Sequence, residues 1–345
     1  MQSVKRKTET KNSCLPDRQV KLLTLSFNFS LFALSFTLLC GCQNRSLYKN
    51  TQVMMGTFVE VTSGDKEAAG IVFSEIKRIE ALLSKYNSDS EITELNRTGK
   101  LAASPDTFYI INKSKEFWLL SDGAFDITVG PLIDLWGFTH KEYYLPTEEE
   151  INNALKLVGM NKIILNQLNN VVEFTLPGME VDLGAIAKGY SLDCAVKKLQ
   201  ESGIKSCLIN AGGQVYCLGD KPRSPLDLIS YFKEGRGKFG SPWKVAVKNP
   251  RGEKTIDYLE LKDCSVATSG DYEQYFIKEN KRYSHILNPK SGYPADSGIA
   301  SVTVIAPTGL IADALSTSIF VLGKEKGMEL AKKFKDVTVK IIESK

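Results

Sequence analysis

One segment near the middle of the chain combines an acid, small residues and a lysine within seven positions. Its sequence is Asp182-Leu183-Gly184-Ala185-Ile186-Ala187-Lys188. Residues 179–181 are typical of a strand end, and the apolar spacing from Ile186 predicts a helix. A turn of small residues between them can leave backbone N–H groups free to bind an anion at the positive end of the helix dipole. Lys188 would add a full charge there, whereas Asp182 needs another role, in hydrogen bonding or in metal binding.

A second motif pairs a carboxylate with a hydroxyl near the start of a predicted helix, at Asp313 and Thr317. Residues four apart lie on the same side of a helix, so the two side chains are neighbours. Hard oxygen ligands of this kind suit Mg²⁺. The alternative is that Asp313 only stabilises the helix N-terminus through its charge, and spacing alone favours that alternative.

Two further polar residues lie in apolar surroundings. Asp126 follows a predicted helix C-cap at Gly123, and a buried acid needs partners. It is equally well explained as a turn residue that caps local backbone. His285, one of only two histidines, lies where a predicted strand enters a turn. It is a candidate general base, although a lone histidine is more often an ordinary core or surface residue.

The composition is that of a globular protein, because the 345 residues are 43% hydrophobic and 24% charged. The net charge of +4 is small and the basic residues are spread along the chain, which argues against nucleic-acid binding. The mature part has no repeat and no strict βαβ alternation. We therefore expect one α+β domain over residues 52–345, with a mixed, largely antiparallel sheet and packed helices.

Hydrophobic periodicity and capping residues predict where several elements lie. The expected helices include 66–85, 105–120, a helix from Thr147 to Gly159 that begins with a capping box to Glu150, and 309–321. Residues 53–61 are expected to form a strand interrupted at Gly56. Residues 221–240 are rich in proline, glycine and charge, which predicts a loop or hairpin insertion.

The first 41 residues have the anatomy of a lipoprotein signal peptide. A basic region precedes the uncharged stretch 22–39, which ends in Leu39-Cys40-Gly41-Cys42. This end resembles a bacterial lipobox, so Cys42 is the expected lipidation site and residues 42–51 the expected tether. The alternative is a retained transmembrane anchor, since about 18 apolar residues can just span a bilayer. The position of the lipobox favours an exported, membrane-anchored lipoprotein on the periplasmic side.

Four cysteines remain in the mature chain outside the lipidation site. They are Cys194, Cys207, Cys217 and Cys264. None forms a C-x-x-C pair, which argues against a zinc ribbon or a redox motif. An exported protein can form disulfides, so a Cys207–Cys217 bridge and buried free thiols both remain open.

The order and the residue sequences of the motifs resemble those of the ApbE family of FAD:protein FMN transferases over most of residues 50–325. The matching blocks are Met55-Gly56-Thr57, Leu83-Ser84-Lys85-Tyr86-Asn87, Gly123-Ala124-Phe125-Asp126, Asp182 to Tyr190, Asn210-Ala211-Gly212-Gly213, Thr268-Ser269-Gly270, His285-Ile286 and Ala312 to Thr317. The resemblance implies a T-fold-like α+β protein that binds FAD and Mg²⁺.

The resemblance also implies an activity. Family members transfer FMN from FAD to a threonine or serine hydroxyl of an acceptor protein and release AMP. Their acceptors are flavin-bearing subunits of membrane redox complexes, such as Na⁺-pumping NADH:quinone oxidoreductase and Rnf-type complexes. Some members hydrolyse FAD to FMN and AMP, and a FAD-binding or FAD-hydrolysing lipoprotein without an acceptor is the alternative.

The resemblance implies which residues of this chain occupy the positions of the family's site residues. The implied FAD contacts are Met55, Tyr86, Ala124, Phe125, Asp126, Asp182, Lys188 and Ile286. The implied magnesium ligands are the Ala185 carbonyl, Asp313 and Thr317. Lys188 is then expected to stabilise phosphate charge, and His285 is the candidate base near the incoming hydroxyl.

Two positions depart from the family pattern. Asn288 stands where aspartate is common before Pro289, and Gln214 stands where an acid or asparagine is common after Gly-Gly. Neither is an implied magnesium ligand. Both are expected to affect the loop that receives the acceptor, or the rate.

Overall fold

A seven-stranded antiparallel sheet is the centre of the computed structural model, which describes residues 47–222, 240–252 and 254–344. The strand order is β1-β2-β6-β7-β10-β13-β14. These strands span Tyr48–Met54, Thr57–Ser63, Cys207–Ala211, Gln214–Leu218, Cys264–Gly270, Ile299–Ala306 and Thr338–Glu343, respectively. The largely antiparallel α+β fold expected from the sequence is confirmed.

The remaining strands form three small sheets. The three-stranded sheet has the order β3-β5-β4, and two hairpins pair β8 with β9 and β11 with β12. These strands span Lys100–Ala102 (β3), Ile163–Asn166 (β4), Val171–Phe174 (β5), Trp243–Lys248 (β8), Thr255–Leu261 (β9), Tyr275–Lys278 (β11) and Lys281–Ser284 (β12).

Eight α-helices lie within the described ranges. They are α1 (Ala68–Leu83), α2 (Glu91–Thr98), α3 (Pro105–Leu120), α4 (Gly130–Leu135), α5 (Glu148–Leu155), α6 (Ala187–Glu201), α7 (Gly309–Leu322) and α8 (Lys324–Ala331). Among the residues described, no helix is both long enough and apolar enough to cross a bilayer. The predicted signal peptide and Cys42 lie outside the described residues.

Each face of the main sheet packs against different elements because side chains alternate along a strand. On β10, Ala267 joins the core formed with Val304 of β13 and with α7. Its neighbour Val266 points to the opposite face, where it packs with Trp243 of the β8–β9 hairpin. The sheet is therefore covered by helices on one face and partly by a hairpin on the other.

Two tight hairpins shape one end of this sheet. Met55 and Gly56 join β1 to β2 with φ of 49° and 70°, and Gly212 and Gly213 join β6 to β7 with φ of 58° and 94°. Two successive positive φ values are typical of the type I′ turns that match the twist of antiparallel strands. The prediction of one strand over residues 53–61 interrupted at Gly56 is therefore wrong, because Met55 and Gly56 form the turn between two paired strands. The first strand begins at Tyr48, inside the predicted tether.

Helices α6 and α7 cross with their backbones in contact. A Cβ atom on Gly189 would overlap the carbonyl oxygen of Gly309, and one on Gly309 would overlap that of Gly189. Asp193 of α6 reinforces the crossing, since its carboxylate accepts the N–H groups of Gly309 at 2.6 Å and Leu310 at 2.9 Å. Burial raises the pKa of Asp193 to about 6. Two glycines and one acid thus set the position of α7 relative to α6.

Local sequence signals predicted some helix ends correctly. The helix 105–120 begins after Ser104, whose side chain accepts the Thr107 N–H. The capping box of Thr147 and Glu150 is present, but its helix ends at Leu155 because the chain turns before Gly159. Most of the predicted insertion at residues 221–240 lies outside the described residues.

The register of β6 and β7 excludes the Cys207–Cys217 bridge. Cys207 lies opposite Leu218, and Cys217 lies opposite Leu208. Because paired residues share a face and neighbours alternate, Cys207 and Cys217 point to opposite faces of the sheet. All four described cysteines are free thiols in the structure.

We expect Gly189→Ala to lower the free energy of unfolding by about 2 kcal/mol or more, because the new methyl group would force the two helices apart. Urea unfolding at fixed pH measures this change. Gly70→Ala is the matched control, since Gly70 is an exposed helical residue with open space at its Cβ position. Equal stability of the two variants would contradict the proposed role of the helix crossing.

Candidate functional site

A cavity of about 410 Å³ opens at the end of the main sheet where the two hairpins lie. Every predicted site residue within the described chain lines it. These are Met55, Tyr86, Ala124, Phe125, Asp126, Asp182, Ala185, Lys188, His285, Ile286, Asp313 and Thr317. The fold thus brings together residues that are up to 262 positions apart in the sequence. Their contacts with FAD and magnesium remain predictions.

Three backbone N–H groups in the turn before α6 are not open to an anion, contrary to the expectation from its small residues. The N–H of Gly184 donates to Asp182 Oδ1 at 2.8 Å, and the N–H groups of Ile186 and Ala187 donate to the Leu183 carbonyl. These donors are satisfied inside the turn, so they are not available to a phosphate. The positive charge at this point comes from Lys188, whose Nζ lies 3.0 Å from the Gly184 carbonyl oxygen.

Asp182 is held by an ion pair that was not predicted. Its Oδ2 lies 3.1 Å from Nζ of Lys85, which lies equally close to Oδ1 of Asp134 in α4. Burial acts to lower the pKa of Lys85, but Asp182 and Asp134 outweigh it and raise the pKa. Burial and the charge of Asp134 raise the pKa of the nearby Glu180 to about 7. One buried ammonium therefore pairs with both Asp182 and Asp134, and Glu180 lies close to this group.

Asp126 caps its own loop as well as lining the cavity. Its Oδ1 accepts the Thr128 N–H at 2.8 Å, and its Oδ2 accepts the Met160 N–H at 3.3 Å. Burial raises the pKa of Asp126 above its ordinary value, although these hydrogen bonds oppose the change. The capping explanation of Asp126 is confirmed, and its position in the cavity wall leaves a contact with a ligand open.

Asp313 lies inside α7 and does not cap it. The helix cap is Thr308, whose side chain accepts the Ile311 N–H. Asp313 is 6% exposed, and its Oδ2 accepts the Gly189 N–H of α6 at 2.9 Å. Burial raises its pKa, and the charge of Lys188 acts in the opposite direction. Asp313 therefore does not cap its own helix but accepts an N–H in the first turn of α6, and its binding of a metal stays a prediction.

Three hydroxyl groups of β10 and α7 form a cluster close to Asp313 in the helix. Oγ of Ser269 lies 2.9 Å from Oγ of Ser316 and 3.1 Å from Oγ1 of Thr317. A buried carboxylate with a raised pKa and adjacent hydroxyls suits a hard divalent cation, which would favour the ionised acid. No group of three or more His, Cys, Asp or Glu residues in the described part of the chain is arranged for a metal. A cation here would need hydroxyl, carbonyl or substrate oxygens as further ligands.

His285 enters the cavity at the base of the β11–β12 hairpin. Its ring Nδ1 lies 3.0 Å from the carbonyl oxygen of Gln274, and its backbone N–H donates to the same oxygen. A neutral imidazole that donates from Nδ1 leaves Nε2 as an acceptor. Burial lowers the pKa of His285 to about 4, and Lys188 acts in the same direction. The ring is therefore neutral at pH 7 and able to accept a proton.

The structure adds cavity residues to which the sequence had assigned no role. Ser269 lies in the matching block Thr268-Ser269-Gly270, and Glu273 and Gln274 lie outside every matching block. Burial raises the pKa of Glu273, while Lys188 opposes the change. The role of Gln274 depends on its backbone carbonyl, which sequence patterns cannot reveal.

The two departures from the family pattern have structural roles. Gln214 is buried, and its Nε2 donates to Ser265 Oγ at 3.1 Å and to the Gly309 carbonyl at 3.3 Å. Asn288 Oδ1 accepts the Lys290 N–H at 2.9 Å, an interaction that aspartate would make equally well. The turn after His285 is therefore maintained by asparagine.

Comparison with known proteins places the chain in a family. The ApbE family profile matches residues 55–341. A Klebsiella pneumoniae protein named FAD:protein FMN transferase is 33% identical over 298 residues, which cover 84% of this chain and 87% of the relative. The chain belongs to the ApbE family.

Solved structures show the same fold. The ApbE protein of Thermotoga maritima aligns with a TM-score of 0.75 and 34% identity, over 86% of this chain and 94% of that one. The flavin transferase ApbE of Vibrio cholerae aligns with a TM-score of 0.74 and 28% identity, with the same coverage of both chains. The ApbE architecture expected from the motifs is confirmed.

We expect Lys85→Met to lower the free energy of unfolding by about 3 kcal/mol, since it leaves Asp182 and its neighbouring acids without their cation. Chemical denaturation at neutral pH measures the loss. Lys324→Met is the control, because the Lys324–Glu343 pair is 64% and 59% exposed and solvent screens its charges. A loss as small as that of the control would contradict the buried ion pair.

His285 should make stability depend on pH below neutrality. Between its folded pKa of about 4 and its ordinary value of 6.5, the unfolded chain binds a proton that the folded chain does not. The contribution of His285 to the free energy of unfolding therefore increases as the pH is raised across that window and is constant above it. The difference in unfolding free energy between wild type and His285→Gln should show this slope. A constant difference would contradict the lowered pKa.

Proposed function

We propose that this chain is an FAD:protein FMN transferase that transfers FMN from FAD to a threonine or serine hydroxyl of an acceptor protein and releases AMP. The observation that carries the proposal is the convergence of every predicted site residue within the described chain on one cavity. Membership in the ApbE family and the names of the relatives support the same activity.

The charges of the cavity suit the cleavage of a diphosphate. In the proposed reaction, the acceptor oxygen bonds to the phosphorus on the FMN side, and the bond from that phosphorus to the AMP oxygen breaks. Negative charge develops on the phosphate oxygens as this happens. Lys188 supplies a fixed positive charge at the cavity wall, and Asp182 and Lys85 hold the turn from which Lys188 projects.

Magnesium would be held by the carboxylate of Asp313, the hydroxyl of Thr317 and the carbonyl oxygen of Ala185. When bound, it neutralises charge on the diphosphate. The burial of Asp313, its raised pKa and the hydroxyls beside it support this assignment. Because Gly189 N–H occupies Oδ2, the other carboxylate oxygen is the one proposed to bind the cation.

His285 is proposed to accept the proton of the acceptor hydroxyl. Its Nδ1 is engaged by the Gln274 carbonyl, so the proton would go to Nε2. The neutral ring at pH 7 is the form this step needs. The nearby positive charge of Lys188 disfavours the protonated ring, which promotes return of the proton to the departing AMP or to solvent.

We propose that the predicted signal peptide directs this activity outside the cytoplasm. We propose that lipidated Cys42 anchors the protein to the membrane and that the tether lets the domain reach flavin-bearing subunits of redox complexes in the same membrane. Subunits of Na⁺-pumping NADH:quinone oxidoreductase and Rnf-type complexes are the proposed acceptors. Metabolic labelling with a fatty acid, compared between wild type and Cys42→Ala, tests the anchor.

Incubation of the full-length chain with FAD, Mg²⁺ and a candidate acceptor subunit tests the activity. Covalent flavin fluorescence on the acceptor in a denaturing gel, together with AMP release, is the expected result. An acceptor in which the target hydroxyl is removed by Thr→Val should stay unlabelled. Release of AMP and free FMN without a labelled acceptor would replace this proposal with FAD hydrolysis.

We expect Asp313→Asn and Thr317→Val each to lower the transfer rate by about 100-fold or more, because each removes an oxygen proposed to hold the cation. Neither should lower stability much, since the carboxylate of Asp313 is buried with a raised pKa. Magnesium should raise the melting temperature of wild type but not of Asp313→Asn.

Asp193→Ala is the matched control for this pair of variants. It removes the carboxylate that caps the same helix, so it should cost about 1 kcal/mol of stability with a much smaller loss of transfer rate. If the Asp313 and Asp193 variants instead lost stability and transfer rate in the same proportion, Asp313 would be a structural residue.

A further inference from the structure

Two cysteines face each other directly across the centre of the main sheet. Cys217 of β7 and Cys264 of β10 are register partners in an antiparallel pair. Both side chains lie in the same apolar cluster, together with Val215, Val266 and Trp243 on the face covered by the β8–β9 hairpin. Cys217 is fully buried, and Cys264 is partly exposed.

This arrangement meets the backbone requirement for a disulfide. Directly opposite residues of antiparallel strands have Cα atoms about 4.5 or 5.5 Å apart, depending on their hydrogen-bonding position. Both values lie within the range of about 4.4–6.8 Å found across disulfides. The other two described cysteines do not compete, since Cys207 points to the opposite face and Cys194 lies on α6.

We propose that Cys217 and Cys264 form a cross-strand disulfide when the chain meets a disulfide oxidant. This modification is separate from flavin transfer and does not depend on it. It would occur in the compartment to which the predicted signal peptide directs the chain, where such oxidants are present.

The exchange proceeds in two balanced steps. Cys264 is the more accessible thiol, so its thiolate attacks one sulfur of the oxidant's disulfide, and the other sulfur leaves as a thiol with the proton. Cys217 then attacks Cys264 in the mixed disulfide and releases the second thiol of the oxidant. The two protein thiols are oxidised by two electrons, and the oxidant's disulfide is reduced to two thiols. Burial raises the pKa of both cysteines, so we expect slow formation with small-molecule oxidants.

The disulfide would stabilise the strands that form the cavity. Gln214 at the start of β7 and Ser269 near the end of β10 both line the cavity. A covalent link between the two strands restricts the unfolded chain and holds these ends in register. A rise in melting temperature of about 5 °C is expected on oxidation.

Treatment of the detergent-solubilised full-length chain with oxidised glutathione tests the proposal. Free thiols are then alkylated under denaturing conditions, and tryptic peptides are analysed without reduction. We expect peptide 206–223 to be linked to peptide 263–278. Because the first peptide also contains Cys207, the same experiment on Cys207→Ser should retain the link, and on Cys217→Ser should remove it.

Melting temperature gives a second readout that does not require a variant to fold. Oxidised wild type should melt about 5 °C higher than the same sample after reduction. Cys264→Ser, which changes the more exposed partner, should show no such difference. Complete alkylation of Cys217 and Cys264 after oxidation, or a link through Cys207 instead, would overturn the proposal.

Discussion

The site depends on the contact between the backbones of helices α6 and α7 at Gly189 and Gly309. Without side chains at this point, α7 lies close enough for Asp313 to accept the Gly189 N–H and for Asp193 to cap the helix. The same approach brings the carboxylate of Asp313 near Lys188, one residue before Gly189. A methyl group at the crossing would therefore disturb helix packing and the charged groups of the cavity together.

Burial of charge is the second feature that defines the cavity. Asp182 lines the cavity and forms an ion pair with the buried Lys85, and its carboxylate also accepts a hydrogen bond within the turn that carries Lys188. Asp313 has no such partner among the described residues and has a raised pKa. Asp182 is thus paired with a cation within the protein, whereas Asp313 is the acid that we propose binds a metal cation. This difference explains why two aspartates in one cavity have different proposed roles.

Local signals in the sequence predicted some elements well. Ser104 with Pro105, and Thr147 with Glu150, began helices where expected because their capping hydrogen bonds join residues three or fewer positions apart. The sequence does not show that the chain reverses at Gly56, since a lone glycine can either weaken a strand or form a turn. The small residues after Asp182 predict an open anion site, and only the hydrogen bonds show that three of the N–H groups donate within the turn.

The sequence by itself determined the family, the α+β class and the predicted site residues that line the cavity, because these follow from motif order and residue type. Tertiary structure alone decided the pairing of Lys85 with Asp182, the helix contact at Gly189 and the facing of Cys217 with Cys264. Each of these relations depends on strand register or helix approach between distant segments. Local periodicity carries no information about either, since one residue of register shift reverses every strand face.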